Sequence, residues 1–572
     1  MNGATYNLKN HMKDKSRKHE TTKARKGADG FAFCPSFVIS NFRAFVICLS
    51  FVFTANASIN VNADELHSNG VGGGDWSEPT SWREKRIPGP MDDAVISRGD
   101  VIVFDRNDES QVTCHQLFID PQGALTFKSG EGRLTCTLSG AIESYGIIKL
   151  DGSKTASDRF ELKFVGEPAD SRQIKLLKGS TLSMNGRRNL AHGKHNVCIT
   201  ATTRKDSPLT SHVSVLAVAG VSVDLQRGEF FNVYLNAGSI DNTGGKPHER
   251  LNIADNHFTG LSYLFLGNCD SAAIIGNRFT LSEITAFGQS ALYLASSPLS
   301  EVRGNEFVGR YAMGIQARPA NDSAFIDNTF EKCVVGLYWH GTNGMLQRLK
   351  FEQCDTGIVM TTSSAVGENL EIKNCGIGLH TVLATVQLTN LRISDVPEKG
   401  KPIEYASGAI TLLNCNLTPD DIKILPKQPP KKLDGVPTVD CLYYLIVKGQ
   451  GKYPLGSRVA VTSIGGAPRA PRAADPNVRN SPAPLRSNGL TALPESLEPL
   501  IVRAWTIDDQ FKTIPAPQYQ VSLIGPATAP AAATGAGPVA PAPLKSVTVT
   551  PAADWYRAEA SDLRPTVEIS VP

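Results

Sequence analysis

Across the middle of the chain the apolar residues fall into columns, not into a helical stripe. The last position of each Asn-x-Phe triplet recurs at Phe258, Phe279, Phe307 and Phe330 and continues as Phe351, Ile372 and Ile393, at spacings of 21, 28, 23, 21, 21 and 21 residues. Gly314, Gly336, Gly357 and Gly378 form a second series and Cys333, Cys354 and Cys375 a third, both on the same period. The stretches between are short and β-branched or Leu-rich, as in Gly357-Ile358-Val359-Met360 and Leu370-Glu371-Ile372-Lys373, and are broken by Gly and Asn. Units of about 21 residues without a 3.6 period are too short for paired helices, and they lack the dense leucines of a leucine-rich repeat. The pattern predicts three short strands per coil, with the coils stacked on one another.

In such a stack, equivalent residues of successive coils lie about 4.8 Å apart. The Phe, Ile and Leu columns then make one unbroken core, which each coil needs its neighbours to bury. Asn256, Asn277, Asn305 and Asn328 read as a ladder in a tight bend, where Asn tolerates left-handed backbone and hydrogen-bonds along the stack; a catalytic role for this column is the less economical reading. The cysteines read as an interior column of small apolar thiols, with a disulfide between two neighbours as the alternative and one thiol then left over. Through these Asn-x-Phe…Cys-x-x-Gly-[Ile/Leu] units, over roughly residues 220–420, the chain resembles the right-handed parallel β-helix proteins of the pectate-lyase-like superfamily. That resemblance implies an all-β fold, a right-handed parallel β-helix of about 21-residue coils, and by itself implies no activity.

The ends read differently. Gly72-Gly73-Gly74-Asp75-Trp76, Ser81-Trp82, Ile87-Pro88, Asp92 to Ile96 and Gly99-Asp100-Val101 resemble the opening of the extracellular eight-glycine domain, although Ser81 stands in the usual Thr place and several of that family's glycines are missing. The resemblance implies a cap over an otherwise open sheet edge. Strand candidates follow at 117–119, 124–127, 134–138 and 147–150. After residue 420 the period ceases. Pro/Ala-rich tracts at 467–486 and 524–543 lie among alternating stretches at 442–447, 458–463, 500–505, 519–523, 546–550 and 566–571. These predict a β-sandwich-like module with linker-like insertions, loosely resembling the carboxypeptidase-regulatory-like modules of secreted proteins. The expected organisation is a signal peptide at 1–57, a cap and first coils at 58–170, the β-helix at 171–425 and the C-terminal module at 426–572.

Charge changes the picture of partners. The 572 residues carry 58 Lys and Arg against 55 Asp and Glu, but nine of the basic residues and three of the acidic ones lie within 1–57. The rest of the chain is slightly acidic and has no basic footprint for nucleic acid. The basic leader runs into the apolar stretch from Ala44 to Phe53 and then Ala55-Asn56-Ala57, which reads as a secretory signal peptide cleaved after Ala57. A stretch of ten residues covers about half of a bilayer core, so the processed chain is expected to be secreted or held in the cell envelope, not integral to a membrane. Of the 11 cysteines none sits in a CxxC or zinc-like spacing, and no metal site is expected.

Alternation from the glycine series sends Gln316, Tyr338, Val359 and His380 outward on one column and Arg318, His340, Thr361 and Val382 on the next, with Phe265 and Tyr293 extending the first to earlier coils. The ligand-binding candidates are therefore Phe265, Tyr293, Gln316, Arg318, Tyr338, His340 and His380. Tyr and His rings stack on sugar rings and Arg318 suits a carboxylate, so this face fits an acidic polysaccharide. A long loop or the C-terminal module packed against it would account for the same residues. A one-residue slip in register, for which the 28-residue spacing leaves room, would turn the face inward.

For catalysis, Glu331 and Glu352 stack one coil apart, near the carboxylate separation of a retaining glycosidase. Lys373 completes their column, however, and a turn of mixed charge is the simpler reading; Asp322, Asp327 and Asp355 are nearby acids. Where polygalacturonase-type motifs would stand, the chain reads Asn328-Thr329-Phe330 and His340-Gly341-Thr342, and a serine-hydrolase elbow, a P-loop and a Rossmann fingerprint are missing. A polysaccharide lyase would draw its base and clamp from Arg318, Tyr338, His340 and His380, with Ca²⁺ as the one cofactor to consider, although no dense acidic cluster supplies its site. The expectation is an exported β-helix that binds an acidic or neutral polysaccharide, or a cell-envelope partner, along its long face without catalysis. The alternative is a carbohydrate-active enzyme, a lyase before a glycoside hydrolase.

Overall fold

A computed structural model describes the chain from Asp64 onward except for residues 155–157, 166–171, 188–194, 203–211, 239–249, 270 and 282–288; after residue 425 it describes the strands alone. The expected signal peptide lies outside the described residues. Most coils pass through three short parallel strands, and like strands of successive coils pair into three long sheets. Val335–His340, Asn343–Gln347 and Lys350–Glu352 are one such coil. Sheet I holds fifteen strands, from Glu65–His67 to Ile422–Ile424. Sheet II starts at Gly73–Asp75 and continues to Gly408–Leu413. Sheet III has eleven strands, from Arg133–Leu138 to Arg392–Ser394. The chain is the all-β parallel β-helix that its period predicts.

The columns seen in the sequence are columns in space. Phe258, Phe279, Phe307, Phe330 and Phe351 pair in register on sheet III, their rings stacked at 4.7–5.1 Å with planes within 10° of parallel. Phe279 still pairs with Phe307 across the long 28-residue spacing. The extra residues fall between Arg278–Thr280 and Ser290–Ala295, ahead of the sheet I strand, so the register of both sheets survives the insertion.

Asn256, Asn277, Asn305 and Asn328 are buried and form a ladder. The Oδ1 of each later member accepts from both the backbone N–H and the Nδ2 of the one before, at 2.9–3.0 Å. Each Nδ2 also donates to a sheet II carbonyl, as Asn277 does to Ile253 at 2.8 Å. One part of the expectation is corrected: the left-handed backbone belongs to the residue before each Asn. Asp255, Gly276, Gly304 and Asp327 have φ of 55–66°, leaving Asn free to bond along the stack.

At the first coil Trp82 donates its Nε1 to the Trp76 carbonyl at 3.1 Å, and the two rings meet edge-on at 5.0 Å over Phe104. Ser68 bridges antiparallel to Trp82, so this loop folds across the first strand of sheet I. At the other end the Asn416 side chain closes sheet III. Its Oδ1 accepts from Ile393 N–H at 2.9 Å and its Nδ2 donates to Ile393 O at 2.8 Å, the two bonds a further strand would make. Sheet II runs on into the C-terminal region. Thr438–Gln450 pairs parallel with Gly408–Leu413, then antiparallel with Leu500–Ile507 and parallel with Thr566–Ser570. Arg458–Ile464, Ala483–Pro484, Gln518–Ile524 and Pro543–Val549 form a separate four-stranded antiparallel sheet.

Candidate functional site

Strand pairing in sheet I aligns Phe265, Tyr293, Gln316, Tyr338, Val359 and His380 in a single column. Leu264, Leu292, Ile315, Leu337, Ile358 and Leu379 precede them one for one and are fully buried, so alternation turns the column outward, in the register the glycine series gives. His340 pairs with Thr361 on the neighbouring outward column, and Arg318 takes the same place one coil earlier, opposite Ala295.

The face is half-buried, not freely solvated. Phe265 and Tyr293 meet edge-on at 5.1 Å. Burial pushes the Tyr293 phenol up; Arg318 opposes that shift and Tyr338 adds to it. Gln316 stands in the outward column yet is buried, its Oε1 accepting from Ser290 Oγ at 2.9 Å. Tyr338 and His340 lie nearly parallel, 13° apart with ring centres at 6.1 Å. His340 Nδ1 is 2.6 Å from Thr361 Oγ1, and burial, with the Arg318 charge adding to it, holds the imidazole below its ordinary value. The Arg318 guanidinium has no hydrogen-bond or ion-pair partner among the described residues. A half-buried cation beside two phenols, with no carboxylate among the described residues to neutralise it, is suited to an anionic ligand.

Two residues complete this column beyond the reach of the sequence pattern. Glu404 pairs with His380 and Lys423 with Glu404. Glu404 accepts from Lys423 Nζ at 2.7 Å and lies 3.2 Å from His380 Nδ1. Burial pushes the Glu404 carboxyl up, but the hydrogen bonds from Lys423 and His380 outweigh it and hold the group below the usual carboxylate range. The glycine series stops at Gly378, and Pro402 stands where the next member would be; the alignment of Ile403 with Leu379 was the remaining signal. Earlier along sheet I, Tyr234 and Tyr263 stack at 4.3 Å with His212 edge-on to both. Burial pushes the Tyr234 phenol up to about 12. Tyr234 and His212 precede the clear part of the repeat, which begins at Phe258.

Glu331 and Glu352 are paired on adjacent coils as expected, but on sheet III, and the structure does not bring them to the face that holds Arg318 and His340. Lys332 Nζ sits 2.5 Å from Glu331, and Lys373 follows Glu352 in the column. Two of the three nearby acids are also engaged, Asp327 with Arg348 at 2.6 and 2.9 Å and Asp355 with Arg310 at 2.8 and 3.0 Å. Among the described residues no three His, Cys, Asp or Glu side chains converge as a metal site. No helix among them is long and apolar enough to cross a membrane.

Residues 239–417 match the family model of the right-handed β-helix region, in agreement with the observed coils. No curated protein matches the chain. Among solved structures, the crystal structure of the periplasmic alginate epimerase AlgG is similar at 10% identity over 51% of this chain and 77% of that one, with a TM-score of 0.23. Two single-site mutants of the same enzyme match at 9% and 8% identity, covering 51% and 52% of this chain and 77% and 70% of theirs, with TM-scores of 0.21 and 0.19. At identities and scores this low the likeness says nothing about chemistry, and the face has to be read from its own residues.

Proposed function

We propose that this chain is an exported β-helix protein that binds an acidic polysaccharide along the outward face of sheet I. The observation that carries this reading is the guanidinium of Arg318, without a partner among the described residues, next to the aromatic column of Phe265, Tyr293 and Tyr338. Phe265, Tyr293 and Tyr338 occupy three of four successive coils, each about 4.8 Å from the next, and offer a flexible polymer more than one ring surface along the stack. Arg318 supplies the point at which a carboxylate is held. The superfamily resemblance agrees with a ligand that lies along the coils, and the sequence-based leader agrees with a secreted or cell-envelope location.

A second reading, a polysaccharide lyase, is favoured by one observation: His340 is held in its neutral, proton-accepting form close to the Arg318 charge. The two readings separate in one experiment. The purified chain is incubated with acidic and neutral polysaccharides, with and without Ca²⁺, while binding, unsaturated-product absorbance and reducing ends are followed. Binding that weakens in Arg318→Ala, with no product formed, supports the first reading. Product formation that vanishes in His340→Ala supports the second. Failure to bind any acidic polysaccharide overturns both.

A further inference from the structure

Two histidines stand on the proposed ligand face, and their surroundings differ in kind. His340 Nδ1 faces the Thr361 hydroxyl, which can donate or accept, so that contact leaves the ring's tautomer open. His380 Nδ1 faces the Glu404 carboxylate at 3.2 Å. Glu404 is held below the usual carboxylate range by both Lys423, whose Nζ donates to its other oxygen at 2.7 Å, and His380 itself, and an ionised carboxylate only accepts. Neutral His380 must then carry its proton on Nδ1. Its Nε2 is the acceptor, has no partner among the described residues, and belongs to a side chain 22% exposed.

We infer that Glu404 is a positioning residue that fixes His380 as a hydrogen-bond acceptor towards a bound glycan, making this end of the face a subsite for a sugar hydroxyl. The inference rests on the proposed binding function and refines it. Arg318 offers donors to a carboxylate, and three coils further on, roughly 14 Å along the stack, His380 Nε2 offers a lone pair. The ligand class that satisfies both is an anionic polysaccharide with a free ring hydroxyl a few sugars from the bound carboxylate. A polymer fully substituted at its hydroxyls would satisfy only the Arg318 end.

The test begins without ligand. In the full chain labelled with [¹⁵N]histidine, nitrogen shifts report the tautomer of His380, assigned by comparison with His380→Gln. The wild type is expected to show the Nδ1–H form, and Glu404→Ala to lose that preference. Lys423→Met, which leaves the carboxylate in place, is expected to retain it. An Nε2–H form in the wild type, or an unchanged tautomer in Glu404→Ala, overturns the inference. Binding is then measured with an acidic polysaccharide and its fully O-acetylated derivative. Glu404→Ala is expected to bind the unmodified polymer about tenfold more weakly, the worth of one hydrogen bond, and the acetylated one as the wild type does. Equal losses for both polymers overturn the hydroxyl subsite. No binding by the wild type overturns the proposed function instead, and the tautomer result stands apart from it.

Discussion

Gly336 lies against the ring of Phe351, so close that a Cβ on the glycine would sit 2.5 Å from the ring's Cδ1. The same meeting recurs between Gly314 and Phe330 at 2.6 Å, and between Gly378 and Ile393 at 2.8 Å. Two of the sequence columns are thus one device. The large residue of sheet III fills the coil interior where the chain enters sheet I, and the missing side chain makes room for it. Gly336→Ala is expected to destabilise the protein by about 1–3 kcal/mol, the usual cost of overpacking. Pairing it with Phe351→Leu should recover part of that loss, because the two residues share one space. Denaturant midpoints of the two single variants and the double variant decide this; strict additivity would contradict the shared packing.

Asn277→Ala removes the acceptor for two donors of Asn256 and a donor to the Ile253 carbonyl, all buried. Each buried group left unpaired costs about 1–3 kcal/mol, so several kcal/mol of destabilisation are expected. Asn369 also accepts from a stacked neighbour, Asn390, but in an exposed turn. Asn369 has a left-handed φ of 56°, which Asn tolerates better than Ala, so Asn369→Ala should cost about 1–2 kcal/mol through the backbone, less than Asn277→Ala. Thermal unfolding of the two variants side by side checks the contrast.

The pH dependence has two windows with the same sign. His340 is held below its ordinary value of 6.5, so the unfolded chain takes up that proton more readily than the folded one. The associated stability is complete above 6.5 and is lost as pH falls through the lower folded value. Glu404, held below its ordinary 4.5, contributes stability present above 4.5 that is lost as pH falls through its folded value. Arg318→Ala removes the secondary cause of the His340 shift and leaves burial, the larger one. An NMR titration of His340 in that variant should therefore move upward without reaching 6.5.

Cys114, Cys136, Cys198, Cys269, Cys333, Cys354, Cys375, Cys415 and Cys441 are all buried. Burial pushes the Cys136, Cys198 and Cys415 thiols up to about 12, against the thiolate that reacts. A thiol reagent should leave these nine cysteines unmodified in the native protein and reach them together on unfolding. Peptide mapping of the labelled sites would reveal any that react early.

How much of this was legible beforehand depended on what each feature needs. In a β-helix every coil is buried by its neighbours, so a core residue must recur at the same place in each coil. Phe330, Phe351 and Gly336 therefore announce themselves by period alone. Strand alternation then carries the outward register to Tyr338 and His380, and it held across the long insertion after Phe279 because the added residues fall ahead of the sheet I strand. Polar chemistry follows no such rule. Glu331 and Glu352 stack as their spacing says, but which sheet they stand on, and that Lys332 engages one of them, depends on where the coil turns its corners. Glu404 reaches His380 from a coil where proline breaks the glycine series. The sequence by itself determined the stack, its register and its core, since these repeat along the chain. Only the tertiary structure decided which charges meet, because an ion pair is a matter of distance between particular side chains and leaves no period to read.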